Sequence, residues 1–415
     1  MLAHVADAPA QGRTAESAGN ASRTLTSRIV FYLPGFDPRE PETYWGLFRR
    51  EARLTAARRG AEIAVSDPVR SADGLDLAWT VRARGVSTRY VLLRWEDIVR
   101  ARFPQSNWAR LRGVPTLLWR LWHTGYAADL RREGRRFSTV IFGVHAIYLA
   151  LVLVSLALAG TLAALAPAVL QPWPLLAVPP VAYAILVGLM RLTLGRPFYV
   201  PHLVDDTAFT HAYAAGRVPE VSPRLDAFAA RIRAAEGAAD EVVVVGHSSS
   251  SFLGIEVMDR VLARDPGFGD RGSPVSFVSI GSVIPWLGLD PAARGFRDAL
   301  LRFGRARQIR WIDVRAPWDW LSIHGQNPLA ACALVPPDPE RPAVVGVMIS
   351  DLITGADVSR RQWNLFQMHF QLLMASQSVD GFDYLDLMTG PEPVHDLAAR
   401  SRDNDLSRAA RDAGL

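Results

Sequence analysis

The stretch EVVVVGHSSSSFLG, residues 241–254, places one serine where acyl chemistry needs it. Val242–Val245 form an unbroken β-branched run, which reads as a strand buried on both faces, as in a parallel sheet. From Ser251 to Leu262 the apolar residues Phe252, Ile255, Val257, Met258, Val261 and Leu262 fall at roughly helical spacing. The stretch therefore reads as strand, very short turn and helix. In a turn of the form G-x-S-x-G the serine hydroxyl stands above the sheet, and the next N–H points at a developing oxyanion. Gly246 and His247 open this turn, Ser248 takes the nucleophile position and Ser249 offers the N–H. Ser250 stands where the pattern has its second glycine. The bland alternative is a serine-rich N-cap after a buried strand, since serine caps helices well.

A serine is a weak nucleophile unless an imidazole takes its proton and an acid holds that imidazole in the right tautomer. In folds built around such an elbow, the acid and then the base follow the serine in the chain. Asp313 and Asp319 are the acid candidates. Asp313 sits inside the strand-like IRWIDV, where a carboxylate needs a partner, whereas Asp319 follows a loop beyond the strand end. Asp319 also suits a helix N-cap. His324, His369 and His395 lie downstream. His324 follows Asp319 too closely for an intervening strand, and His395 is near the charged tail. His369 comes after a possible last strand, AVVGVMI (343–349), and is the expected base, with His324 the alternative. Its neighbours Phe366, Phe370 and Leu373 would equally suit a structural histidine on a helix face. A second oxyanion donor is expected from YLPGFDP, where Gly35 permits close backbone approach and Phe36 offers its N–H; a Pro34-Gly35 β-turn explains the same residues.

Four motifs, YLPGF, VVGHSSSS, VSIGSVIP and RWIDVRAPWDWLS, together resemble the α/β-hydrolase superfamily, in particular its lipase and inositol-deacylase-type branch. VSIGSVIP is similar to the T-L-G-S/T-P segment of those lipases. RWIDVRAPWDWLS is similar to their W-x-N-x-x-x-x-x-D-x-V segment, whose late aspartate is the triad acid, and the resemblance puts that role on Asp319. It covers residues 28–36 and 241–325, about a quarter of the chain. As a whole the chain resembles bacterial membrane-associated hydrolase-like proteins. The resemblance implies a serine hydrolase of esters, thioesters or related acyl bonds that needs no cofactor. A different class, a binding or assembly module that keeps a hydrolase-like fold without catalysis, stays open.

The elements that must carry these residues divide around an apolar insertion. Residues 137–166 hold no formal charge, and about 20 residues suffice to cross a bilayer. A second run, 175–190, is broken by Pro179-Pro180 but is long enough to return when counted from Trp173 to Leu194; a re-entrant piece is the alternative. Arg131, Arg132, Arg135 and Arg136 precede the hairpin, Arg191 and Arg196 follow it, and the connecting loop is uncharged. By the positive-inside rule both flanks are cytoplasmic and the hairpin sits in an inner membrane, with the lipid bilayer as partner. NWARLRGVPTLLWRLWHTGY interleaves Trp108, Trp119, Trp122 and Tyr126 with arginines, which suits an interfacial helix or one packed on the globular part. His145, inside the first span, is expected to be neutral and hydrogen-bonded.

The expected organisation is a disordered N-terminus (1–27), a first α/β piece (28–136), the hairpin (137–194), a second α/β piece carrying the elbow (195–397) and a charged tail (398–415). Strands at LDLAWTVRAR, RYVLLRW, PVSFVSIGS and RQIRWIDV, with an Arg-rich helical stretch after the Pro34-Gly35 turn and a helix around 223–236, indicate an α/β fold with a mostly parallel sheet and helices on both faces. The chain has 415 residues, 49% of them hydrophobic, and a formal charge of +5 carried entirely by arginine. The arginines are scattered rather than striped with aromatics, so no nucleic-acid partner is expected. The single cysteine, Cys332, excludes an intrachain disulfide framework. His202 with Asp205 and Asp206 makes only a thin metal-ligand set.

Overall fold

Among the described residues, nine strands form one sheet in the order β2-β4-β5-β1-β6-β7-β8-β9, with β3 beside β4. They are β1 (Ser27–Leu33), β2 (Ile63–Val65), β3 (Val69–Arg70), β4 (Asp76–Ala83), β5 (Val86–Leu93), β6 (Glu241–His247), β7 (Val275–Ile280), β8 (Ile309–Arg315) and β9 (Ala343–Gly346). From β5 through β9 every pairing is parallel; β2, β3 and β4 add an antiparallel edge. The computed structural model describes residues 24–396 apart from 171, 193–198 and 380. The charged tail and Arg196 lie outside the described residues. At the N-terminus, order begins before residue 28: Leu25 is buried, and Thr26 and Ser27 donate their N–H groups to Asp240. A short apolar anchor and a carboxylate acceptor fix those residues, which the Ala/Ser/Thr composition did not announce.

The valine run behaves as its composition requires. Val242 and Val244 enter the core on one face of the sheet, with Phe31, Leu33, Phe277 and Trp311. Val243 and Val245 enter the core on the other face, with Val30, Tyr32, Val278 and Ile312. Each fully buried side chain of this kind contributes on the order of 1.5–3 kcal/mol. The faces are covered by α1 (Pro41–Arg59) on one side and by α6 (Val221–Ala234), α7 (Ser250–Arg264) and α8 (Arg294–Arg305) on the other.

Between β5 and β6 the chain leaves the sheet through α2 (Asn107–His123), α3 (Arg135–Ala164), α4 (Trp173–Leu192) and α5 (Val200–Ala214). β1 pairs with β5 on one side and β6 on the other, so the sheet closes across this insertion. Helices α3 and α4 are both long and apolar enough to cross a membrane. Helix α4 runs unbroken through Pro179 and Pro180, because their fixed φ is helical even though two N–H donors are lost. His145 is buried, and its Nδ1 lies 2.7 Å from the Ile141 carbonyl, one turn earlier. Helix α2 packs on the globular part by one face and exposes its tryptophans on the other. Arg110, Val114 and Leu121 are buried against the domain, while Trp108, Trp119 and Trp122 are 56%, 67% and 78% exposed.

Candidate active site

β6 ends in the elbow. Ser248 has φ +56°, a left-handed conformation that costs a non-glycine residue of order 1–2 kcal/mol and is tolerated only where the surroundings enforce it. Its N–H donates to Ile280 O at 3.0 Å, and Ser251 N donates back to Ser248 O at 2.8 Å, which closes the turn before α7. The strained serine is thus held by β7 on one side and by its own helix on the other.

Ser250, where a glycine was expected, is fully buried, and its hydroxyl donates to the Pro34 carbonyl. Trp95 Nε1 donates to the same carbonyl at 2.8 Å. The serine therefore ties the elbow to the loop after β1 instead of merely replacing a small residue. That loop lies directly against Ser248: a Cβ on Gly35 would stand 2.8 Å from Ser248 Cβ. Phe36 is anchored through its ring against Trp95, Phe103 and Phe209. Neither the Phe36 nor the Ser249 amide has a hydrogen-bond partner among the described residues.

Asp319 and His369 meet. Asp319 Oδ2 is 2.7 Å from His369 Nδ1, both side chains are buried, and Asp319 Oδ1 accepts the Leu321 N–H at 2.9 Å. No helix starts at Asp319, so its expected capping role is replaced by a turn: one carboxylate oxygen takes the Leu321 N–H and the other the imidazole. His369 lies on a short helix, α9 (Leu365–Phe370), rather than on a loop, beyond the edge strand β9. Its apolar neighbours serve packing at the same time: Met368, Leu372 and Leu373 enter the sheet core, and Leu365 and Phe366 pack at the hairpin base. Asp313 is paired inside the sheet with Ser279 Oγ and Arg315 Nε, both at 2.7 Å. His324 Nδ1 has no hydrogen-bond partner among the described residues, and burial shifts that imidazole downward.

Two features around His369 escaped sequence reasoning. Gly281, in the motif VSIGS, has φ +56°, and a Cβ there would stand 2.6 Å from His369 Cε1. The glycine directly after β7 was the legible signal. His247 lies under His369, the two rings 4.7 Å apart at 24°, with His247 Nδ1 3.2 Å from the Tyr32 hydroxyl. Burial, with His369 nearby, pushes the His247 imidazole well below its ordinary range, so the stacked neighbour is neutral. Gly281→Ala is expected to displace the base and lower kcat about 10²-fold, the scale of an ångström-sized misplacement. Steady-state kinetics with a circular-dichroism control checks this; full activity would mean that His369 has no required position.

Ser248 and His369 line one cleft of about 600 Å³, together with Gly35, Phe36, Phe103, Tyr199, His202, Asp206, Phe366 and Phe370. His369 Nε2 is buried and has no hydrogen-bond partner among the described residues. Tyr199 stands at the start of α5, where the chain returns from the hairpin, and its ring meets Phe366 at 4.6 Å. Burial pushes His202 down to about 4, and burial likewise holds the Asp206 carboxyl well above the carboxylate range despite the Ser249 and Thr210 hydroxyls. His202 and Asp206 stand among aromatic rings in the cleft, and further charged side chains enter it at Arg50 and the Asp37–Arg39 pair. Asp205 turns away to Arg110, and among the described residues no three His, Cys, Asp or Glu side chains are grouped to hold a metal. Cys332 is buried, which pushes its thiol up to about 12. Compared with known proteins, the chain matches no family model, no curated protein and no solved structure.

Proposed function

We propose that this chain is a serine hydrolase of the α/β-hydrolase type, anchored in a membrane by the α3–α4 hairpin and cleaving an ester, thioester or related acyl bond. The observation that carries the reading is the hydrogen-bonded Asp319–His369 pair sharing a cleft with the strained Ser248. In this mechanism Ser248 Oγ attacks the acyl carbon while its proton passes to His369 Nε2. Asp319 keeps the other ring nitrogen protonated and stabilises the imidazolium. The Ser249 and Phe36 amides take the developing oxyanion. Collapse breaks the acyl bond, and the departing alcohol or thiol takes the proton from His369. Water, deprotonated by the same imidazole, then releases the acid and restores the serine.

The substrate side follows from the walls. Aromatic rings and neutral polar groups suit an uncharged acyl ester, and the approach of the hairpin base to Phe366 and Tyr199 favours a lipid-derived one. One observation favours a non-catalytic module instead: His369 Nε2 is not hydrogen-bonded to Ser248. Such contacts commonly tighten only with substrate bound.

Two measurements test this. The protein in detergent micelles is expected to hydrolyse p-nitrophenyl butyrate and to react with a fluorophosphonate; failure of both would leave the binding-module reading. Reporter fusions after Arg136 and Arg196 are expected to report cytoplasm, and one at Gln171, which lies outside the described residues, the opposite side. A cytoplasmic Gln171 reporter would contradict two spans.

A further inference from the structure

A second concavity, of about 680 Å³, lies between α2 and α5. Val204, Asp205, Ala208 and His211 of α5 line it, whereas His202 and Asp206 line the catalytic cleft. At 3.6 residues per turn these are different sides of one helix, so the two concavities share it as a wall.

Four guanidinium groups line this groove: Arg110, Arg112 and Arg120 from α2, and Arg217 from the segment after α5. Two are already fixed. Arg110 holds Asp205 through Nε and a terminal nitrogen at 2.8 and 2.6 Å, and Arg120 donates to Asp290 at 2.8 Å. The other two, Arg112 and Arg217, are exposed and have no carboxylate partner among the described residues. Arg112 is held over the Trp108 ring at 5.4 Å, which preorganises it. Counting both fixed acids against the four arginines leaves an excess of two positive charges. Behind them His211 is buried, with Nδ1 2.5 Å from Asp290 and Nε2 without a partner among the described residues.

We propose that this groove binds a phosphate ester, its oxygens taken by Arg112 and Arg217 while Arg110 and Arg120 hold the walls in place. Planar guanidinium forks are the groups that recognise phosphoryl oxygens, and a doubly charged monoester matches the uncompensated charge. The apolar remainder of the wall, Val114, Leu117 and Val204, would take the organic part. Val114 and Val204 also belong to the apolar cluster with Val140, Val144 and Tyr148 at the hairpin base. Phosphate-ester chemistry could be supplied by a lipid head group or by a soluble metabolite. The proposal does not depend on the catalytic reading.

The full-length protein in neutral detergent is titrated with dihexanoyl phosphatidic acid, glycerol 3-phosphate, dihexanoyl phosphatidylcholine and inorganic phosphate, with calorimetry as the readout. The Arg112→Gln/Arg217→Gln variant is measured alongside, with its melting temperature as the folding control. Saturable binding of a phosphate monoester, weakened about 10- to 100-fold in the variant by loss of charge-assisted hydrogen bonds, is the expected result. Binding of phosphatidic acid alone assigns the lipid source, and equal binding of glycerol 3-phosphate assigns the soluble one. Binding of neither monoester, equal affinity in the folded variant, or preference for phosphatidylcholine would overturn the site.

Discussion

Ser248→Ala is expected to remove esterase activity by about 10⁵- to 10⁶-fold in kcat, the scale seen when the nucleophile of a triad is lost. Ser249→Ala and Ser251→Ala are expected to keep most of it, because only Ser248 occupies the strained tip. Ser249 would act through its amide, which alanine retains, and Ser251 Oγ accepts the Val283 N–H at 3.0 Å away from the reacting atoms. A second substitution separates chemistry from folding. Ser248→Gly relieves the φ of +56° and should be as inactive as the alanine variant without a lower melting temperature. Equal activity across the alanine series would remove Ser248 from the mechanism.

The second large effect concerns the base. His369→Ala is expected to lower kcat by about 10³-fold or more, and Asp319→Asn by about 10⁴-fold through the wrong tautomer. His324→Ala should cost little, since Asp319 is hydrogen-bonded to His369 and His324 Nδ1 has no partner among the described residues. Folding is controlled separately, because His369 is buried and its helix joins the sheet core to the hairpin base. If His324→Ala were the inactive variant and His369→Ala merely unstable, the Asp319–His369 contact would be a packing feature.

What was legible in the sequence followed from periodicity and from chain order. Four consecutive valines could satisfy only a strand buried on both faces, and that strand fixed where the turn and its serine had to be. The spacing from Asp319 to His369 left room for β9, and the edge strand is there. Other features rest on contacts distant in sequence. Ser250 read as a defect in the elbow because its partner, the Pro34 carbonyl, is 216 residues away. Gly281 read as part of a lipase-like segment, and its need to be glycine comes from the imidazole of His369, brought over it by a later helix. The His211–Asp290 pair and the arginine groove gave no signal at all, since α2, α5 and the chain after β7 meet only once the hairpin has turned back. His202, Asp205 and Asp206 looked like one polar group and are not one. Helical geometry sends Asp205 to Arg110 and leaves His202 and Asp206 in the cleft.

The most direct measurement is peptide mapping by mass spectrometry after the full-length protein has reacted with a fluorophosphonate. A single phosphonyl adduct on Ser248, absent after Asp319→Asn and His369→Ala under the same exposure, is the predicted result. An adduct on Ser249, Ser250 or Ser251, or no adduct on folded protein, would contradict it.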